Sequence, residues 1–187
     1  MDTTNKTNVK EIDLQSLCDR WFMKYATIMN GPPQGLPPIC EINHRIPLID
    51  HDKQYFYRLP HCPEVMRPKL MAKLHQYIDN GWWTPKAMLQ AAPLLCILKK
   101  SGSLQTVMDC CQRNDNTHKD ITPFPDQDQI QMDVAHAKYR SKIDLSNAYE
   151  QVWVAPEDVH KTTFSTVFRT FESNVMEQGD CNAPTTF

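Results

Sequence analysis

The ten residues from Lys142 to Gln151 are the part of this chain best suited to chemistry. They read Lys-Ile-Asp-Leu-Ser-Asn-Ala-Tyr-Glu-Gln, with Asp144 at the end of an expected strand and Tyr149 five residues further on. Nucleotidyl transfer to a 3′-hydroxyl group relies on two Mg²⁺ ions held by carboxylates, so Asp144 could be one ligand and the Leu145 carbonyl another. On spacing alone, an aspartate at a strand end is more often a turn or capping residue, and Tyr149 would be assigned to the core.

Two helices are predicted upstream of this segment. Apolar residues recur at intervals of three and four between Ile12 and Met29, which predicts an amphipathic helix. A segment rich in proline and glycine, 30–38, follows as a linker or an extended arm. The second helix is expected to start near Pro63 and Pro68 and to end at Asn80-Gly81. Its apolar face comprises Met66, Leu70, Leu74, Tyr77 and Ile78.

The remaining segments favour a small sheet. Trp82 to Pro85 is predicted to be a turn, and Pro93 to Leu98 forms a hairpin with Leu104 to Met108 across a Ser101-Gly102 turn. Lys99 and Lys100 lie at the hairpin tip. We expect a loop over 114–129, a short helix carrying Ile130, Met132, Val134 and Ala135, and strands over 139–144, 151–154, 161–168 and 170–175. The fold class is therefore α+β, helices first and a small antiparallel sheet after.

Charge is spread unevenly along the 187 residues. The net formal charge is −2 and the pI is near 6.4, so the charge of the whole chain does not indicate nucleic-acid binding. The segment 60–100, however, carries six Lys or Arg against two acidic residues, whereas 101–159 has five more acidic than basic residues. The basic and the acidic segment could form a phosphate-binding surface beside a metal-binding one, or they could be the solvated faces of helices.

The seven cysteines are odd in number and form no Cys-x-x-Cys pair, so neither a disulfide framework nor a zinc site is indicated. We expect reduced, mostly buried thiols in an intracellular protein, cytoplasmic or nuclear and not secreted. The N-terminus lacks the apolar core of a signal peptide. The longest apolar run, Ala91 to Leu98, is too short to span a bilayer, so no membrane partner is expected.

Five ordered blocks between Gly35 and Phe187 resemble the reverse transcriptase of gypsy-type LTR retrotransposons. The segment around Asp144 and Tyr149 is similar to that family's motif A. Gln-Gly-Asp-Cys-Asn-Ala-Pro-Thr-Thr-Phe, residues 178–187, is similar to motif B. The fingers motifs are matched by 81–93 and by 98–114, which includes Val107-Met-Asp109 and Asn114. The leader is matched by 35–48.

The resemblance implies the fingers and part of the palm of a right-hand polymerase. It divides the chain into an N-terminal helix with a proline-rich linker (1–39), a fingers-like region (40–137) and a partial palm (138–187). Asp144 would be the catalytic carboxylate and, with the Leu145 carbonyl, a Mg²⁺ ligand. Tyr149 would be the steric gate against a ribose 2′-hydroxyl. The other nucleotide-binding positions implied are Asn147, Ala148, Gln178, Gly179, Lys99 and Lys100. The implied partners are a dNTP and an RNA or DNA template-primer.

Two substitutions and one missing motif depart from the family pattern. Gln105 and Cys111 stand where the family usually has arginines, and a neutral amide cannot replace a guanidinium. The Tyr-x-Asp-Asp motif that carries the second catalytic carboxylates does not occur in these residues. Glu157-Asp158, the one adjacent acidic pair, is assigned to capping a helical turn.

Three hypotheses therefore remain open from the sequence. The chain is a reverse transcriptase fragment that is inactive alone, a nucleic-acid-binding or protein-interaction module without chemistry, or part of a longer active polymerase. A partial palm would also expose an apolar face or an unpaired sheet edge, which predicts self-association.

Overall fold

The structure is a computed structural model that describes residues 11–31, 34–100, 102–122, 125–142 and 144–187. Pro32, Pro33, Ser101, Pro123, Phe124 and Ile143, which belong to predicted segments, lie outside these ranges. The chain divides into two compact units, 1–33 and 34–187. In the first unit, helix α1 (Glu11–Lys24) and helix α2 (Ala26–Met29) replace the single helix expected there. They are separated at Tyr25, whose backbone leaves the helical region and whose ring stacks on Trp21.

Helix α3 (Arg67–Asp79), in the second unit, confirms the second predicted helix. A 3₁₀ turn, Glu64–Met66, leads into it, and Pro68 occupies its first turn, where a missing N–H removes no helical hydrogen bond. Leu70, Leu74 and Tyr77 bury one face. Gly81 follows with a φ of +72°, a conformation that glycine adopts without strain, and the helix ends there as predicted.

In the part of the chain that the structure describes, five strands form one sheet in the order β1-β5-β4-β2-β3. The strands are β1 (Trp83–Pro85), β2 (Ala92–Leu98), β3 (Leu104–Met108), β4 (Phe164–Ser165) and β5 (Thr170–Ser173). β2 and β3 form the predicted hairpin, with Leu94 opposite Met108. Because β2 runs parallel to β4, the sheet is mixed and not antiparallel throughout. The predicted α+β class is confirmed.

The core lies where α3 packs on the sheet, and much of it is aromatic. The ring of Trp83 is 4.4 Å from that of Tyr77 and 4.7 Å from that of Phe164, centroid to centroid. Trp83 also pairs with Ser173 across β1 and β5. The prediction of a turn over Trp82 to Pro85 was therefore wrong, because burial of these indoles draws the segment into the sheet.

Several predicted strands are shorter than expected or not formed. Residues 139–142 and 144 are exposed and irregular, since no described residue pairs with them and a strand needs a hydrogen-bonded neighbour. The segment 151–154 makes only isolated bridges, His44 with Val154 and Trp153 with Val175. Of 161–168, only β4 is extended, because a 3₁₀ turn, Val159–Thr162, occupies its beginning.

Two helices lie between β3 and residue 142. Helix α4 (Cys111–Asp115) takes the start of the stretch 114–129, which we expected to be loop. Helix α5 (Gln127–His136) confirms the predicted short helix, and the Asp126 side chain caps it by accepting from the N–H groups of Asp128 and Gln129.

Asp158 does not cap a helical turn, contrary to the prediction. Its carboxylate accepts the N–H of Ile46 at 2.8 Å and pairs with Lys161. Both oxygens of Asp158 are therefore directed at partners other than the N–H groups of the following 3₁₀ turn, and Asp158 anchors the Ile46 backbone.

The thiols are more exposed than expected. Cys62 and Cys110 are buried, whereas Cys18, Cys40 and Cys111 are exposed, so the expectation of mostly buried thiols was wrong. A thiol is small, and its burial alone is too weak to determine how a segment packs. Among the described residues, no helix has the length and apolar character needed to cross a membrane.

Candidate functional site

A cavity of about 300 Å³ lies between α3, the β2–β3 hairpin and the segment 145–150. It gathers most of the residues that the sequence singled out, although they are far apart in the chain. Those in its walls are Lys99, Gln105, Leu145, Asn147, Ala148, Tyr149 and Gln178. Asp144, Lys100, Gly179 and Cys111, which the structure also describes, do not line it.

The segment after Asp144 reverses direction in order to face the cavity. Residues Ser146 and Asn147 form a turn, and Asn147 has a φ of +50°. Asparagine tolerates this left-handed conformation better than most residues with a Cβ atom. A 3₁₀ turn, Tyr149–Gln151, follows immediately. The turn therefore directs residues 147–150 to one wall.

Asp144 and Leu145 are the oxygen donors that could meet Mg²⁺. Both residues are exposed, and the Asp144 carboxylate makes no hydrogen bond or ion pair with another described residue. Within the described ranges, no three His, Cys, Asp or Glu side chains are grouped to hold a metal ion. Mg²⁺ retains several waters and often takes one or two carboxylates together with substrate phosphates. The Asp144 carboxylate and the neighbouring Leu145 carbonyl could therefore supply some of the ligands of a Mg²⁺ site.

Two carboxyl groups that sequence reasoning missed lie in the cavity walls. Glu150 Oε1 accepts from the Tyr77 hydroxyl at 2.8 Å, and Glu177 Oε1 accepts from Trp83 Nε1 at 2.8 Å. Burial raises the pKa of Glu177 to about 8, even though hydrogen bonds from Ser173 and Trp83 favour its charged form. Glu177 is therefore mostly protonated at pH 7.

Two lysines also line the cavity. Lys99 is exposed at the start of the hairpin turn. Lys73, from α3, is half-buried; its Nζ donates to Thr106 Oγ1 at 2.7 Å and lies 4.8 Å from the centre of the Tyr77 ring. Burial lowers the pKa of Lys73. Sequence reasoning missed Lys73 as well, because its place depends on how α3 packs on β3.

Gly179 lies where the chain passes close to the end of β3. Its φ is +117°, and a Cβ atom there would lie 2.6 Å from the carbonyl oxygen of Met108. Asn114 fastens the same loop, since its Nδ2 donates to the Gly179 carbonyl at 2.7 Å. Gly179 thus fixes the backbone beside the cavity, where its neighbour Gln178 is a wall residue.

A cluster of buried charged residues packs against the loop that contains Gly179. Arg113 Nη2 donates to Asp180 Oδ2 at 2.8 Å, and His44 Nε2 lies 3.4 Å from the same oxygen. Burial alone would raise the pKa of Asp180, but its close contact with His44 and the Arg113 charge hold it below its usual value. The adjacent Cys111 is exposed, and its pKa is raised by a hydrogen bond to Asp109. The Arg113 guanidinium of α4 is therefore buried in the core, where it pairs with Asp180 beneath the loop 179–181.

The C-terminal part of the chain matches a known protein family. Residues 97–187 match the family "Reverse transcriptase (RNA-dependent DNA polymerase)". Residues 97–187 are a segment of a reverse transcriptase domain. The matched residues include β3, Asp144, Tyr149 and the Gly179 loop, so most of the lining residues belong to this segment. Helix α3, Trp83 and Leu94 contribute to the cavity from outside the match.

Two relatives are retrotransposon polyproteins. This chain is 25% identical over 178 residues to the "Retrovirus-related Pol polyprotein from transposon opus" of Drosophila melanogaster, an alignment that covers 92% of this chain. It is 29% identical over 135 residues to the "Transposon Tf2-3 polyprotein" of Schizosaccharomyces pombe, covering 70% of this chain. The chain spans 18% and 10% of the length of these relatives.

Solved structures share the fold. A crystal structure of prototype foamy virus protease-reverse transcriptase superposes with a TM-score of 0.76 at 17% identity, covering 96% of this chain and 24% of that one. A foamy viral protease-reverse transcriptase in complex with double-stranded DNA gives 0.72 at 17% identity, covering 98% and 32%. The predicted reverse transcriptase fold is thus confirmed.

Proposed function

We propose that the cavity binds the incoming deoxynucleoside triphosphate of a gypsy-type RNA-directed DNA polymerase. The observation that carries the proposal is the convergence of Lys99, Asn147, Tyr149 and Gln178 on one cavity of about 300 Å³. A volume near the lower end of the range for ligand sites, with mixed polar and aromatic walls, suits part of a nucleotide. In this assignment 40–137 is fingers and 138–187 is partial palm.

Each residue has a role in this proposal. Asp144 and the Leu145 carbonyl would hold Mg²⁺, which when bound supplies positive charge to the triphosphate oxygens. Asn147 and Ala148 would lie beside the triphosphate, with Lys99 or Lys100 reaching its outer phosphates. The Tyr149 ring would exclude a ribose 2′-hydroxyl. Gln178 would lie against the nucleotide, held by the backbone of Gly179.

The 187 residues by themselves should bind a nucleotide without extending a primer. They contain one of the carboxylates that the chemistry needs, and among the described residues Asp144 belongs to no group of three or more His, Cys, Asp or Glu side chains that could hold a metal ion. Calorimetry with a dNTP and Mg²⁺ tests binding, and primer extension on an RNA template tests chemistry. We expect binding without incorporation. Incorporation that Asp144→Ala abolishes would contradict the inactive state of this chain, and absence of dNTP binding would contradict the cavity assignment.

A second proposed function is binding of template-primer. Lys99 and Lys100 are both exposed at the β2–β3 hairpin, and a foamy viral neighbour is described in complex with double-stranded DNA. Retention of a primer-template should weaken with added salt, and weaken further in the variant with Lys99→Ala and Lys100→Ala. Lys53→Ala, another exposed lysine, is the matched control. Equal retention by all three proteins would rule out this use of the hairpin. We place such a protein in the cytoplasm or nucleus, where its nucleic acid would be.

A further inference from the structure

We propose that Lys73 is a phosphate-binding residue of the cavity, the cation that meets the oligophosphate of a nucleoside triphosphate. The inference rests on the proposed function, because it names the residue that would hold the most highly charged part of that ligand. Sequence patterns offered no reason to separate Lys73 from the other lysines of 60–100.

The packing of α3 directs Lys73 into the cavity. Leu70, Leu74 and Tyr77 face the core, whereas Lys69 and Lys73 are four residues apart and share a side of the helix. Lys69 Nζ donates to the Gly102 carbonyl, and Lys73 Nζ donates to Thr106 Oγ1 at 2.7 Å. Helix α3 thus delivers two ammonium groups to the hairpin, and that of Lys73 lies at the cavity wall.

The charges in the walls favour an anionic ligand near Lys73. The cations among the lining residues are Lys73 and Lys99, and Gln105 contributes a neutral amide. Lys99 is exposed, so its field is screened by solvent, whereas that of the half-buried Lys73 is screened less. Because burial raises the pKa of Glu177 to about 8, this carboxyl group adds little negative charge to the cavity wall at neutral pH.

The Lys73 ammonium retains donors for a ligand. It has three N–H groups, and the structure gives one to Thr106. A neighbouring cavity of about 430 Å³ is lined by Lys69, Lys73, Tyr77 and Asn147, so the Lys73 side chain borders two cavities. A chain of phosphates could therefore extend past Lys73 toward Lys69.

The test compares ligands that differ only in phosphate number. Binding of dTTP, dTMP and deoxythymidine to the 187-residue chain is measured by calorimetry at low salt with Mg²⁺. Lys73→Gln should weaken dTTP binding about tenfold, as expected for one charge-assisted hydrogen bond, and leave deoxythymidine binding unchanged. Lys73→Arg should retain most of the dTTP affinity. Lys86→Gln, outside the cavity, is the matched control and should match the wild type.

A charge relocation separates electrostatics from packing. Gln105→Lys in the Lys73→Gln background returns a cation to the same walls and should recover dTTP affinity. If Lys73→Gln binds dTTP as tightly as the wild type, the Lys73 proposal is overturned while the nucleotide cavity stands. Equal loss of deoxythymidine and dTTP affinity also overturns it, because the effect would then be structural. A wild-type chain that binds no dTTP overturns both proposals.

Discussion

Asn114 Nδ2 donates a hydrogen bond of 2.7 Å to the carbonyl of Gly179, and Asn114 Oδ1 accepts the N–H of Cys181 at 3.2 Å. One side-chain amide thus satisfies two backbone groups of the loop 179–181. Gln178 immediately precedes the loop 179–181 that Asn114 holds, and it is part of the cavity wall. The position of that wall therefore depends on contacts between segments 65 residues apart.

Gly179→Ala should destabilise the protein strongly. A Cβ atom at this position would meet the Met108 carbonyl oxygen at 2.6 Å, and the φ of +117° is itself unfavourable for alanine. We expect a loss of roughly 3 kcal/mol or more in the free energy of unfolding, measured by urea denaturation.

Gly102→Ala is the matched control for this prediction. Gly102 also has a positive φ, +77°, but a Cβ atom at this position would meet nothing within 4 Å. Gly102→Ala should lower the free energy of unfolding only through backbone strain, by about 1 kcal/mol. Equal losses in the two variants would show that the contact with Met108 does not constrain the loop.

The sequence predicted the elements whose signals are local. Helix α3 follows from its apolar period and from Gly81, and the β2–β3 hairpin follows from two apolar runs around a short turn. Strand β1 was missed because its partner, β5, lies almost 90 residues away and the pairing leaves no mark in the local pattern.

Arg113→Met should destabilise the protein strongly, because it leaves the Asp180 carboxylate buried without its main cation. The expected loss is about 3–5 kcal/mol in the free energy of unfolding, measured by urea denaturation. Arg67→Met is the matched control: Arg67 pairs with Glu64 in solvent, and such pairs contribute roughly 0–1 kcal/mol. A loss in Arg113→Met no larger than that of the control would mean that Asp180 finds other compensation.

Glu177 should make stability fall as pH rises. Its pKa in the folded state, about 8, exceeds the ordinary value of 4.5, so between these values the folded state binds more protons than the unfolded state. The carboxyl group therefore costs no stability below about pH 4.5, and its cost grows until pH passes 8. Glu177→Gln keeps an acceptor for Trp83 without a charge, and its free energy of unfolding at pH 9 should exceed that of the wild type by roughly 5 kcal/mol.

Urea denaturation at pH 5, 7 and 9 tests the Glu177 prediction. Glu64→Gln, at an exposed position, should show no comparable pH-dependent difference from the wild type. A constant difference between Glu177→Gln and the wild type across this range would mean that Glu177 is already ionised at pH 5.

The site was predictable only where the family resemblance named positions. That resemblance named Asn147, Ala148, Tyr149 and Gln178, and the fold brings them to one cavity. Lys73, Glu150 and Glu177 were missed for a physical reason. Each becomes a wall residue through tertiary packing, and in the sequence a lone charged residue on an amphipathic helix, such as Lys73, or in a turn or loop, such as Glu150 or Glu177, is indistinguishable from a solvated one.

Tyr149 should control the choice between deoxyribose and ribose in the proposed cavity. Its ring meets the Phe187 ring edge to face at 5.8 Å, which restricts the directions in which it can move away from a bound sugar. Tyr149→Ala should bring the affinity for UTP to within about threefold of that for dUTP, since removing a steric clash restores binding of the larger sugar. Tyr149→Phe keeps the ring and should preserve the wild-type preference. The ratio of the two dissociation constants, measured by calorimetry, is the readout, and an unchanged ratio in Tyr149→Ala would contradict the role of Tyr149 as a gate.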